Sequence, residues 1–173
     1  MIKKNLFILL TLVIFINSGV HAKESFVYLD MNLILNTSNV GQNIIEQLNN
    51  ENNSIQKKIF ETEKKLKKEE AELFKKKNIL SKDEFDKILN SFNQKVLTHN
   101  ADKKKNLDDL EKKKISSQEK IISIINPILQ DYIEKESISL ILKKESLIVA
   151  PKELNITDKI IQELNNKIKK LEL

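Results

Sequence analysis

The stretch Gln42–Phe74, QNIIEQLNNENNSIQKKIFETEKKLKKEEAELF, decides the fold. Ile45, Leu48, Ile55, Ile59, Leu66 and Leu73 recur in alternating steps of three and four, with Asn52, Thr62 and Glu69 filling the remaining places. Four heptads of this pattern predict a coiled-coil helix whose seam polar residues weaken without changing its register. The stretch opens a run of 85 residues, Gln42–Asn126, with neither Gly nor Pro. A turn is expected at Asn78–Lys82, where Ser81 and Glu84 have the spacing of a capping box and Leu80 and Phe85 that of a hydrophobic staple. A second helix follows through Phe85, Leu89, Phe92, Val96, Leu107, Leu110, Ile121, Ile124 and Ile128 toward Glu136. Two long helices joined by a short turn must run antiparallel, making arms roughly 55 to 80 Å long.

Outward from this hairpin the pattern changes. Phe26–Leu29 reads as a strand, and Leu140–Leu142 with Leu147–Val149, around the polar Lys143–Ser146, reads as a β-hairpin closed by Pro151. Ile160, Ile161, Leu164 and Ile168 recur at helical spacing after Thr157, read as its cap, and predict an amphipathic helix over the small sheet. Pro127, inside the returning helix, is read as a bend where the arm meets the body. The expected fold is α+β: a small β body, residues 23–41 and 137–173, interrupted by a long antiparallel coiled-coil hairpin, residues 42–136. So few short strands cannot hold a sheet alone, so self-association is expected.

Residues 1–22 read as a signal peptide. Lys3 and Lys4 precede an apolar run from Leu6 to Ile16, and Val20-His21-Ala22 places cleavage after Ala22. Eleven residues of helix are too short to cross a bilayer, and no Cys follows for lipid attachment. The chain beyond Ala22 is therefore expected to work outside the cytoplasm, where there is no ATP supply.

Composition narrows the function further. Of 173 residues, 32% are charged and 5% aromatic, and all thirty basic residues are Lys. Without Arg, bidentate recognition of phosphate or carboxylate is excluded. From Gln56 to Ile115 eighteen Lys face twelve acidic residues, while the rest of the chain after Ala22 has ten against thirteen, so the arms are basic and the body mildly acidic. Lys75, Lys76, Lys77 and Lys103, Lys104, Lys105, with Lys112–Lys114, carry this bias. Taken singly, each cluster reads first as a solvated helix face; together they could attract an acidic unfolded chain or an anionic lipid surface. The leader argues against nucleic acid. No converging catalytic or metal-binding set is visible: beyond Ala22 there is one His, His99, at a seam-like position, one Gly and no Cys. An enzyme is not expected, and neither is a cofactor.

The opening FVYLDMNLILNTSNVGQ, Phe26–Gln42, resembles the start of the mature Skp/OmpH periplasmic chaperones, in which a strand ends in Asp and a short helix leads to a Gly before the arm. Asn126-Pro127-Ile128, the hairpin region Ser139–Ala150 and NITDKIIQELN, Asn155–Asn165, are similar to that family's later motifs in the same order. Ser137 departs from the family, which usually has Gly there. The resemblance implies a homotrimer whose arms enclose unfolded outer-membrane proteins, holding them without nucleotide hydrolysis and preventing their aggregation. The absence of Arg puts in doubt any lipopolysaccharide site built from guanidinium groups. Apolar residues off the seam, Phe60, Phe74, Leu97 and Phe92, are the candidate client contacts. The main rival reading is a periplasmic adaptor bridging envelope components, although such adaptors carry Gly-rich β domains for which this chain has no room; a second is a surface lipid-binding protein working through its Lys clusters.

Overall fold

The computed structural model describes residues 25–173; the leader read over residues 1–22 lies outside them. The elements are β1 (Phe26–Leu29), α1 (Met31–Thr37), α2 (Asn39–Lys76), α3 (Lys82–Glu136), β2 (Leu140–Lys143) and α4 (Thr157–Lys167), with short 3-10 turns at Lys144–Ser146 and Lys152–Leu154. The α+β architecture is the expected one. Among the described residues no helix is long and apolar enough to cross a membrane.

Local chemistry explains most boundaries. Asp30 ends β1 and caps α1 by accepting from Leu33 N at 2.9 Å. Ser38 stops α1 and caps α2, its hydroxyl accepting from Gly41 N at 3.1 Å. The arm helix therefore starts at Asn39, three residues before the expected arm boundary. At Gly41 a Cβ would stand 2.0 Å from the Leu35 carbonyl oxygen, so only Gly permits this close crossing of α1 and α2. At the arm tip the capping box forms as expected, with Glu84 N donating to Ser81 Oγ and Ser81 N donating to Glu84 Oε2 at 3.2 Å. Helix α3 runs uninterrupted through Pro127. It ends at Ser137, which takes the left-handed conformation (φ 53°, ψ 45°) while Ile138 N reaches back to the Ile133 carbonyl at 3.1 Å. A left-handed cap is thus present although Ser carries a Cβ that makes it costlier than Gly.

Two expectations are corrected here. The β-hairpin of Leu140–Leu142 with Leu147–Val149 does not form. Instead β2 pairs with β1 in parallel, Phe26 opposite Leu140 and Leu29 opposite Lys143. The chain after Lys143 curls into its 3-10 turn, and Lys144 Nζ bonds Asp30 Oδ2 at 2.7 Å, which holds the turn against the end of β1. Leu147–Val149 therefore cannot fold back on β2, and Ile148 and Val149 stand 104% and 88% exposed. The second correction concerns the cap of α4. Thr157 is buried inside the helix, and its hydroxyl accepts from Asp30 N at 2.9 Å. Asn155 does the capping work, its side chain accepting from Thr157 N at 3.0 Å.

The core sits where arm and body meet. Ile34 of α1, Val40 and Ile44 of α2, Ile121, Ile125 and Ile128 of α3, and Ile160 and Leu164 of α4 converge there with Val27 and Leu29. The α4 stripe was expected from its spacing. Ile45, read as the first seam residue of the arm, is exposed, whereas Ile44 is buried: near its root α2 turns its apolar face to the core that α3 shares with the body.

Candidate functional site

Antiparallel arms need a seam, a register and some free surface, and each can be located. In the seam Ile55, Ile59 and Leu73 are buried, while Leu48, Asn52, Thr62, Leu66, Phe85, Leu89, Phe92 and Val96 are half-buried. Three ion pairs cross between the helices: Glu51 with Lys113 at 2.6 Å, Glu63 with Lys103 at 2.9 Å and Glu69 with Lys95 at 2.7 Å. Each steps toward the tip on α2 as it steps toward the tip on α3, which fixes the register. The Lys103 ammonium, donating to Glu63, holds that carboxyl below its ordinary range. Such exposed pairs contribute little individually, about 0 to 1 kcal/mol in general, so they align the arms without locking them.

His99 occupies a seam position with its side chain 10% exposed, its Nε2 3.7 Å from Glu63 Oε1 and without a hydrogen-bond partner. It leaves a polar flaw in the middle of the arm.

The candidate client contacts fall into two groups. Phe60, Phe74 and Leu97 are 67%, 62% and 60% exposed. Each directly follows a seam residue, Ile59, Leu73 or Val96, and the register of the ion pairs puts Leu97 at a level between the two Phe. Phe60 and Phe74 are two heptads apart and so share one face of α2, about 21 Å from each other along its axis. Phe92 differs, because it is half-buried in the seam beside Leu73 and Ile88, where these side chains line a groove of about 350 Å³.

Sequence reasoning passed over Ile79, which is 78% exposed in the turn. Its signal was available, since a β-branched hydrophobe between Asn78 and the staple residue Leu80 has no helix face to join. Ile148 and Val149 were missed as exposed residues because they were assigned to a paired strand. In the two-stranded sheet the paired residues Phe26 and Leu140 are 43% and 46% exposed.

The lysine clusters are partly neutralised by neighbours. Lys75 pairs with Glu72 at 2.8 Å, Lys103 with Glu63, and Lys104 with Asp108 at 2.9 Å. Among the described residues Lys76, Lys77 and Lys105 have no carboxylate within ion-pair distance. No group of three or more metal-ligating side chains occurs among the described residues.

A family model described as outer membrane protein (OmpH-like) matches residues 25–164. The chain belongs to the OmpH-like family. Among solved structures, a proposed outer membrane chaperone (OmpH-like) from Caulobacter crescentus CB15 superposes with a TM-score of 0.80 at 17% sequence identity, covering 87% of this chain and 89% of that one. At that identity the likeness speaks for the OmpH-like fold. No curated protein matches the sequence. The match spans the small body and the long helical hairpin alike.

Proposed function

We propose that this protein is a holding chaperone of the periplasm, working without ATP, that keeps unfolded outer-membrane proteins from aggregating between its arms. The observation that carries the reading is the row of Phe60, Phe74 and Leu97, large apolar side chains exposed on arms of an OmpH-like chain. A soluble coiled coil has no internal use for them, whereas an unfolded membrane protein offers apolar surface to meet them. Weak seam packing suits this role, since arms that splay accommodate clients of different size. Phe92 would add contact only when the arms part. The basic clusters Lys75–Lys77 and Lys103–Lys105 would draw in acidic segments or anionic lipid or lipopolysaccharide surfaces electrostatically, chiefly through Lys76, Lys77 and Lys105.

The working unit in this reading is a homotrimer joined through the body, and its route there is a leader cleaved after Ala22. A two-stranded sheet is marginal by itself, and Phe26, Leu140, Ile148 and Val149 leave its surroundings apolar and uncovered. The 147–149 segment, expected as a strand, would find its strand partner in a second copy.

The test is light scattering from a urea-diluted outer-membrane β-barrel protein, with the molar mass taken by size exclusion and multi-angle scattering. Suppression saturating near one trimer per client, lost together in a Phe60→Ser, Phe74→Ser, Leu97→Ser variant of unchanged helicity, is the expected result. Unchanged aggregation with a monomeric mass overturns the reading and favours a structural adaptor.

A further inference from the structure

Beyond α4 the chain does not run free. Ile168 leaves the helix in extended backbone (φ −149°, ψ 138°), and the following residues lie along the root of α2. Two side chains one helical turn apart on α2 bind the backbone of this tail. Leu171 N donates to Asn43 Oδ1 at 3.2 Å, Gln47 Nε2 donates to the Leu171 carbonyl at 2.7 Å, and Leu173 N donates to Gln47 Oε1 at 3.3 Å. A fourth bond, Gln47 Nε2 to Asn43 Oδ1 at 2.9 Å, orients the two amides as a unit. Leu171 and Leu173 pack onto the apolar cluster at the arm root, while Glu172 between them is exposed.

This arrangement reads a peptide in the way a sheet edge does: backbone bonds are made at alternate residues, and alternate side chains enter the apolar surface. Nothing in the bonds depends on which residues supply the backbone. The only side-chain requirement is apolar residues at i and i+2, the pattern along a strand of a membrane β-barrel, where lipid-facing and lumen-facing residues alternate. We propose that the tail, residues 168–173, is an internal competitor seated in a groove that accepts an extended client segment of alternating apolar residues. This rests on the chaperone reading and deepens it: the exposed arm residues make the first contacts, and the root of the arm holds a strand of the client once the tail gives way. Because the tail is tethered beside its groove, its high effective concentration must be exceeded, which a long unfolded chain does by presenting many segments and a free peptide does when added in large excess.

The experiment uses the full chain and a fluorescein-labelled peptide of alternating Leu and Thr with Lys at both ends, alongside a permuted peptide with its Leu residues contiguous. Hydrogen exchange of the unmodified protein should show the amides of Leu171 and Leu173 losing protection as the alternating peptide is added, and keeping it with the permuted one. In a Leu171→Glu, Leu173→Glu variant, checked for unchanged helicity, anisotropy should show the alternating peptide binding at least ten-fold tighter than to the parent. Adding Gln47→Ala to that variant should remove the gain. Protection of the tail unaffected by the alternating peptide, or equal binding by parent and variant, overturns the inference. The scattering assay keeps the two readings apart: suppressed aggregation with an undisplaced tail sinks the groove and leaves the chaperone, whereas a displaced tail without suppression supports the groove and sinks the chaperone.

Discussion

Body and arm bury the same kinds of residue on different terms. At the arm root Ile34, Ile125 and Ile160 lose all exposure because α1, α2, α3 and α4 close around them. In the outer arm, Ile59 and Leu73 keep 7% and 8% exposure with one neighbouring helix to pack against, and Thr62, His99 and Glu69 interrupt the row. A side chain enclosed on all sides contributes its full transfer free energy and leaves a cavity when removed; one in a two-helix seam is partly solvated and its loss can be relaxed. Stability is therefore concentrated at the root of the arm.

Truncation is the strongest way to break this contrast. Ile125→Ala should cost about 3 to 4 kcal/mol and lower the urea midpoint of the whole chain. Leu73→Ala should cost only about 1 to 2 kcal/mol and should quicken hydrogen exchange chiefly in the outer arm. Equal, global effects of the two would abolish the distinction. Gly41→Ala comes next: its Cβ must push α2 away from the Leu35 carbonyl, at a cost of about 2 to 3 kcal/mol read in the same melt, even though Ala is the better helix former. In the arm, His99→Leu should do the opposite and stabilise by about 1 kcal/mol, since it removes a buried unpartnered nitrogen from the seam; slower exchange on both arm helices would show it.

The smallest expected effect belongs to acid. The Lys144 ammonium and the Leu33 amide hold the Asp30 carboxyl below its ordinary value of 3.8. A carboxyl depressed in the folded state adds stability that is complete above its unfolded value and disappears as pH falls through the folded one. The body should therefore lose stability below about pH 4, and Asp30→Asn should flatten that part of the curve. An acid limb identical in parent and variant would remove Asp30 from the account.

Much of this was legible beforehand, for reasons that differ from element to element. The hairpin, its turn and the Ser81–Glu84 cap depend on residues within a few positions of one another, so spacing alone announces them. Ile45 was misassigned because both Ile44 and Ile45 satisfy a helical stripe, and only the body's position selects between them. The Leu147–Val149 strand was expected from its β-branched residues, but strand propensity does not name a partner, and the Asp30–Lys144 contact spans most of the chain. Of the surface residues singled out, Phe60, Phe74 and Leu97 were found by their failure to fit the heptad. Phe92 does fit it, and the structure places it in the seam.

What the sequence determined by itself is the arm and its charge: a heptad repeat, a breaker-free run and a capping box are local signals, and helices form from local bonds. The tertiary structure alone decided the parallel pairing of β1 with β2, the burial of Thr157 and the seating of Leu171 and Leu173 against Asn43 and Gln47. These contacts join residues more than a hundred positions apart, and side chains that meet only after the chain has closed on itself leave no periodicity in the sequence to announce them.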